Sequence, residues 1–536
     1  MSDHPRSARR AVQRRTVLRA GAGGAAAVST ATALAPDASA TPTPSALPAA
    51  PSASAAPTRG RQFRALWVAS VENIDWPSKP GLSIAQQKAE FTALCRRARE
   101  LNMNALICQV RPTADAFWPS PYEPWSQYLT GTVGKDPGYD PLRFQVAEAH
   151  RHNLEYHAWF NPYRVATHAD PTTLAPGHPA RKHPEWVHAY GGKLYYDPGL
   201  PEVRRFVEDA MLHAVAHADI DAVHFDDYFY PYPVEGEEFP DQATFAKHGR
   251  GMSLADWRRD NVNTMVREMH QRIRAIKPWV KFGISPFGVW RNRSSDPRGS
   301  DTKASEGYEI ISCDPLAWMR DGAVDYLCPQ IYWEIGHPLA DYGVLAPWWD
   351  RAVADSGTAL YIGQAAYKAT EGKGAWADPR ELAKHLERDH GLAHVDGDAY
   401  FSAKDAMTDP RGAFAALRQG AYKNPAVVPP IAAMPGRAPE SPVGVRARRH
   451  GGEIEVRWTR PRSSRAVSYA VVEAPSARRS AEELLGDGSG ILATLRADAS
   501  HPAQSARVRS TDAPIAVIAF DRLWAASAPS RRAHVR

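Results

Sequence analysis

From Gln62 onward, short apolar runs alternate with stretches in which apolar residues recur every three or four positions. The runs read as strands and the stretches as amphipathic helices, because side chains repeat every two residues on a strand and about every 3.6 on a helix. Strands are predicted at Arg64–Ser70, Ala105–Val110, Glu155–Asn161, Ala222–Asp226, Lys281–Pro286, Tyr326–Tyr332, Ala359–Gln364 and Ala399–Ser402. Helices are predicted at Ile84–Glu100, Pro141–His152, Pro201–His217, Asp256–Ile276, Pro315–Asp321, Val344–Asp355, Pro379–His390 and Arg411–Gly420. Eight strands alternating with eight helices predict an α/β fold, a (β/α)8 TIM barrel over 61–428. Helix-to-strand connections are short, whereas the strand-to-helix segments 111–140, 162–200, 227–255 and 287–314 are long, as for an active site built at the carboxyl ends of barrel strands. A doubly wound open sheet fits less well, because Ala69-Ser70-Val71-Glu72-Asn73 after the first strand is not a Gly-rich phosphate turn.

After Val428 the pattern changes. Residues 429–442 read as a Pro-rich linker, and 443–536 carry short strands at Gly444–Ala447, Glu453–Trp458, Ser468–Glu473, Ile491–Leu495, Ala506–Arg509 and Ile515–Phe520. Alternation in Glu453–Trp458 puts Ile454, Val456 and Trp458 on one face. A small all-β sandwich is predicted, and it looks like a fibronectin type III module with Trp458 in the core. Pro514-Ile515 stands where the corner tyrosine of such modules would sit. A spacer or wall-docking role follows; the scarcity of rings disfavours a carbohydrate-binding module.

At the other end, Arg14-Arg15 precedes a weakly apolar segment running to Ala35, and Ala38-Ser39-Ala40 fits a cleavage site. Residues 1–40 therefore read as a twin-arginine export signal, which places the protein outside the cell, and 41–60 as a Pro/Ala-rich linker. The formal charge of +6 divides into +4 for 1–40, +7 for 437–536 and −5 between them. An acidic body argues against a nucleic-acid partner, and no later segment is apolar for long enough to span a bilayer. Cys95, Cys108, Cys313 and Cys328 lack ligand spacing and read as free core thiols, so neither metal nor cofactor is expected. A monomer is expected.

The candidate chemistry centres on His224-Phe225-Asp226-Asp227-Tyr228-Phe229-Tyr230-Pro231, where an apolar run leads into two adjacent carboxylates. Buried carboxylates lose hydration, so a pair at a strand end points to function, with helix capping or an arginine pair as the plainer alternative. Other predicted strand ends carry Glu72, Asp75 and Trp76; Arg111 and Asp115; Asn161 and Tyr163; Trp290; and Gln330, Tyr332, Trp333 and Glu334. The rim loops add rings at Phe117, Trp118, Tyr122, Trp125 and Tyr128, and at Trp186, Tyr190, Tyr195 and Tyr196. Rings beside carboxylates suit a polysaccharide, whose C–H faces stack while its hydroxyls bond polar groups. About half of these rings are expected to pack the loops instead.

The strings Asp75-Trp76-Pro77-Ser78, Gln109-Val110-Arg111-Pro112, Trp159-Phe160-Asn161-Pro162-Tyr163-Arg164, Phe225-Asp226-Asp227-Tyr228, Ser285-Pro286-Phe287-Gly288 and Pro329-Gln330-Ile331-Tyr332-Trp333 closely resemble glycosyl-hydrolase-like family 10. The resemblance runs from about Gln62 to Val428. It implies a secreted glycosidase on a barrel, in a family that includes bacterial enzymes cleaving peptidoglycan glycan strands stripped of their stem peptides. Adjacent acids at the fourth strand also occur in hexosaminidases that use the substrate's own 2-acetamido group as nucleophile. That parallel makes Asp227 the general acid/base, Asp226 the acetamide orienter and Tyr332 the donor to the acetamide oxygen. The order of the two Asp roles stays open. Arg111, Asn161, Tyr163, Gln330 and Trp333, together with Glu72, Asp75, Trp76 and Trp290, are the expected substrate-binding residues. A two-carboxylate mechanism with Glu72, Asp75, Asp115 or Glu334 as distant partner is the competing chemistry. A non-catalytic wall-polysaccharide-binding or scaffold protein on the same barrel is the competing function.

Overall fold

The computed structural model describes residues 59–476 and 479–536, so the expected export signal and the linker up to residue 58 lie outside the described residues. Eight parallel strands close into a barrel: β1 (Phe63–Val68), β2 (Ala105–Arg111), β3 (Glu155–Phe160), β4 (Ala222–Phe225), β5 (Lys281–Ile284), β6 (Tyr326–Leu327), β7 (Ala359–Gln364) and β8 (Val395–Tyr400). Each strand pairs with the next, and β8 returns to β1 with Ala65 opposite Ala399. The surrounding helices are α1 (Ile84–Glu100), α2 (Pro141–Arg151), α3 (Pro201–His217), α4 (Leu254–Ile276), α5 (Pro315–Arg320), α6 (Tyr342–Val353), α7 (Glu381–Asp389) and α8 (Ala413–Gln419). Their starts follow local chemistry. Ser83 and Gln86 form a capping box on α1, and Asp140 caps α2 with Pro141 in its first turn.

Strand alternation sorts the core into two layers. Leu66, Val68, Val223 and Phe225 face the helices, while Phe63, Trp67, Ala105, Ile107, Trp159, Ala222, Tyr326 and Tyr361 fill the barrel axis. Gly283 on β5 is required there, because a Cβ would lie 2.0 Å from the Tyr326 ring. All four cysteines are buried and unpaired, as expected. Among the described residues no helix is long and apolar enough to cross a membrane.

The C-terminal strands are β9 (Val443–His450), β10 (Glu453–Thr459), β11 (Ser468–Glu473), β12 (Ile491–Arg496), β13 (Ala503–Arg509) and β14 (Ile515–Phe520). They form two three-stranded antiparallel sheets, β9-β10-β13 and β12-β11-β14. Ile454, Val456 and Trp458 are buried between them. The second sheet covers the amino end of the barrel, sharing an apolar cluster in which Phe63 and Trp67 join Val472, Phe520 and Trp524. Polar ties run along the same seam: Arg522 grips Asp219 at 2.7 and 2.8 Å, and the Ser468 hydroxyl donates to Asn153 at 2.9 Å. Residues 429–442, expected as a linker, place Ile431 and Met434 in this cluster.

Candidate active site

The lead-in strand β4 stops at Phe225, and the chain then turns. The Tyr228 amide donates to Asp226 Oδ1 at 3.1 Å, and the Phe229 amide to the Asp227 carbonyl at 3.1 Å. On a regular strand, neighbouring side chains point to opposite faces, so this turn is what brings the two carboxylates within electrostatic reach of each other. Asp226 and Asp227 are 5% and 1% exposed.

Their surroundings differ. Asp226 Oδ2 accepts from the Trp159 indole at 3.1 Å and from Asn161 Nδ2 at 2.5 Å. The amide orientation is fixed from below. Gln109 Oε1 accepts the Ser70 and Val71 amides, so its Nε2 faces Asn161 Oδ1 at 2.5 Å and Asn161 must turn its own NH2 to Asp226. Arg164 also donates to Asn161 Oδ1, at 3.0 Å, and its charge lies close to Asp226. Burial pushes the Asp226 pKa up, and Arg164 with the three donors works against that push. Asp227 has fewer supports: the Tyr232 hydroxyl and the Gln330 side chain donate to it. Burial, reinforced by the negative charge of Asp226, pushes it up to about 7. Burial thus raises both carboxyl groups, opposed at Asp226 by Arg164 and three donors, while Asp227 holds a proton near neutrality.

Of the other residues expected at the site, Asn161 and Gln330 bond the carboxylates directly. Tyr332, 8% exposed, lies within electrostatic reach of both and stacks near Phe401. Trp333 lies edge-on to Phe287, whose ring in turn meets Tyr232. Glu72 stands exposed on the rim with φ 53°.

Five expected contacts turn elsewhere. Arg111 is fully buried, grips Glu123 at 2.7 and 2.5 Å, and donates to the Asn161 and Pro162 carbonyls, so four of its five N–H groups are committed inside the protein. Asp75 accepts from the Ala69 amide, the Ser402 hydroxyl and the Lys404 amide, a clamp between the loops after β1 and β8; burial raises it to about 6. The Trp76 indole donates to the Gln87 carbonyl, and the Trp290 indole to Asp314. Tyr163 is buried and sits near Arg204 and Glu208 of α3. Six of the nine rim rings are buried as well, leaving Tyr122, Trp125 and Trp186 partly or wholly exposed.

Trp159 and Arg164 entered from the sequence only as motif residues with no role of their own, and Tyr232 was not named. The first was legible, since Trp159 and Asn161 are two residues apart and share the inward face. Tyr232 arrives through the loop, for which no periodicity exists.

A closed barrel whose fourth strand ends in an electrostatically split carboxylate pair is the frame of a glycosidase-like protein. Residues 62–378 match the family described as Glycosyl hydrolase-like 10, and the chain belongs to that family. It is 51% identical over 387 residues to the glycosyl hydrolase YngK of Bacillus subtilis, covering 71% of this chain and 76% of that one. It is 37% identical over 394 residues to the glycosyl hydrolase DigH of Escherichia coli K12, covering 69% and 88%. Among solved structures, the glycoside hydrolase domain of PgaB (BpsB) from Bordetella bronchiseptica aligns at 14% identity and TM-score 0.43, over 67% of this chain and 98% of that one.

Proposed function

We propose that the protein is an exported glycoside hydrolase that cleaves N-acetylhexosamine-containing polysaccharide, specifically peptidoglycan glycan strands free of peptides, by substrate-assisted catalysis. The observation that carries this reading is the division of labour between Asp226 and Asp227. Protonated Asp227 gives its proton to the leaving glycosidic oxygen. The carbonyl oxygen of the sugar's acetamide attacks the anomeric carbon as the glycosidic bond breaks, closing an oxazoline ring. Asp226 stabilises the acetamide N–H. A carboxylate has about four acceptor sites. Three on Asp226 are occupied, leaving one on Oδ1. Tyr332 supports the carbonyl oxygen. Asp227, now ionised, takes a proton from water as that water opens the ring, which retains the anomeric configuration and restores the acid.

The distant partner needed by the competing two-carboxylate mechanism has fewer candidates than the sequence offered. Asp75 is clamped, and Asp115 is buried against its own loop, its Oδ1 accepting the Thr113 amide. The C-terminal sheets, ordered β9-β10-β13 and β12-β11-β14, support a fibronectin type III-like reading. Export by the twin-arginine route, a monomeric state and no role for nucleic acid complete the proposal.

The test is incubation of the mature protein with peptide-free glycan strands and mass spectrometry of the products, with and without a thiazoline mimic of the oxazoline. Shortened glycans and tight inhibition are expected. Cleavage that the thiazoline leaves untouched would refute the assisted mechanism. No cleavage of any amino-sugar polymer would turn the reading toward a binding protein.

A further inference from the structure

A single file of buried polar side chains runs along the barrel axis from the C-terminal module toward the carboxylate pair. At the far end, the Trp524 indole N–H donates to Glu155 Oε1 at 2.6 Å, and Lys281 pairs with the same carboxylate. Glu155 Oε2 is 2.9 Å from His157 Nε2, and His157 Nδ1 is 2.9 Å from the Tyr326 hydroxyl. That hydroxyl is 2.9 Å from His224 Nδ1. His224 Nε2 then meets the Trp67 indole N–H at 3.2 Å and the Ser285 hydroxyl at 3.0 Å.

The bond directions follow from the fixed indole donor at one end and from neutral imidazoles. An indole nitrogen only donates, so His224 Nε2 must be bare and its proton must sit on Nδ1. That proton points at Tyr326, whose own proton must then go to His157 Nδ1. His157 therefore carries its proton on Nε2 and gives it to Glu155. Burial holds both imidazoles neutral, pushing their pKa values down, while Lys281 holds Glu155 ionised.

The upper end of the file touches the chemistry. Asp226 lies two residues beyond His224, just past the end of β4. The Ser285 carbonyl accepts from Gln330 Nε2 at 2.9 Å, and Gln330 bonds Asp227. The Trp67 ring meets Phe401 edge-on, and Phe401 stacks with Tyr332. We propose that His224 and Tyr326 are positioning residues, held in one tautomeric arrangement by Glu155 and Trp524, that fix Trp67 and Ser285 beneath the carboxylate pair. The C-terminal module is then a working part of the active site's support, although it sits at the opposite end of the barrel.

The test is 15N NMR of the imidazoles in the histidine-labelled mature chain near pH 7, with His224→Gln and His157→Gln assigning the signals. Two neutral rings are expected, His224 protonated on Nδ1 and His157 on Nε2. A His224 signal protonated on Nε2, or a charged ring at either position, overturns the proposal, and wild-type protein alone decides that point. Tyr326→Phe removes the one hydroxyl linking the rings at constant ring shape. It is expected to leave the His224 proton on Nδ1, because the Trp67 indole still faces Nε2, but to shift the His224 signals as that N–H loses its acceptor, and to lower kcat about 10-fold, the worth of one hydrogen bond, with KM within about two-fold. Trp524→Phe should shift the His157 signals and leave a folded barrel. Unchanged His224 signals and unchanged kcat in Tyr326→Phe would refute the positioning role. The kcat arm rests on the glycosidase reading; if wild-type protein turns over no glycan, that reading falls while the tautomer assignment still judges this one.

Discussion

Asp227 ties stability to activity through a single proton. An unfolded aspartate titrates near 4, whereas the folded carboxyl group is pushed up to about 7. Between those values the folded state binds more protons than the unfolded state, so stability falls as pH rises through that window and stays low above it. Asp227→Asn removes the buried charge while keeping an acceptor for Tyr232. Its melting temperature at pH 8 should exceed that of wild type, a gain on the order of 2 kcal/mol, whereas turnover should drop at least ~100-fold. Calorimetry and glycan assays on the same preparations check both signs. Asp226→Asn should lose turnover by a similar factor with the fold intact. In wild type, log kcat/KM should decline as pH rises through about 7, because the acid form of Asp227 disappears there. The pair itself was readable in the sequence, as an apolar run leading into two acids. What distinguishes the two was not, since it depends on Trp159, Asn161 and Arg164 from β3 and its loop, brought beside Asp226 only by barrel closure.

At the level of elements, Arg111 shows how a strand-end residue can serve its neighbours instead of a ligand. It locks the end of β2 to the loop after β3 through the Asn161 and Pro162 carbonyls, and it neutralises Glu123 inside the wall. Lysine offers a point charge where the structure uses a planar fork. Arg111→Lys should therefore destabilise the fold by about 3 kcal/mol, because Glu123 stays buried with a poorer partner. A melting temperature several degrees lower with an unchanged KM for glycan is the expected result. A raised KM at unchanged melting temperature would restore the substrate contact expected from the sequence. Strand ends were also where periodicity failed. Predicted as Tyr326–Tyr332, β6 pairs as a strand only over Tyr326–Leu327, since Pro329 has no amide hydrogen for the ladder and only Gln330 bridges beyond it. In the case of β8, predicted from Ala399, pairing begins at Val395, because Asp396-Gly397-Asp398 reads locally as a turn. In the barrel, the Gly397 backbone sits against Phe63, where a Cβ would lie 2.0 Å from the Phe63 carbonyl oxygen, and Asp398 is satisfied by Gln364. Helix ends were legible to within about two residues, because caps such as Ser83 and Asp140 are local chemistry.

The molecule as a whole places its carboxylate pair and its C-terminal module at opposite ends of one axis. Repeated short strands revealed that the module exists, and the unbroken apolar runs of β11 and β14 fit burial of both faces, the outer one included. Ala470, Val472, Ile518 and Phe520 on that face join Phe63, Val427 and Trp524 in a continuous core, and Arg61 reaches across to Glu482 at 2.7 Å. A sandwich on a free tether would melt separately from the barrel, because independent units share no apolar surface. A shared core predicts the reverse. The chain should unfold in one calorimetric transition, with the calorimetric and van't Hoff enthalpies in agreement. Stopping the chain after residue 442 should uncover Glu155, Asp219 and the apolar floor around Phe63, and the shortened protein should aggregate or melt well below the parent. Two resolved transitions in the full chain, or a truncated barrel as stable as the whole, would show that the seam contributes little, and Trp524 would lose its standing as an anchor for the axis.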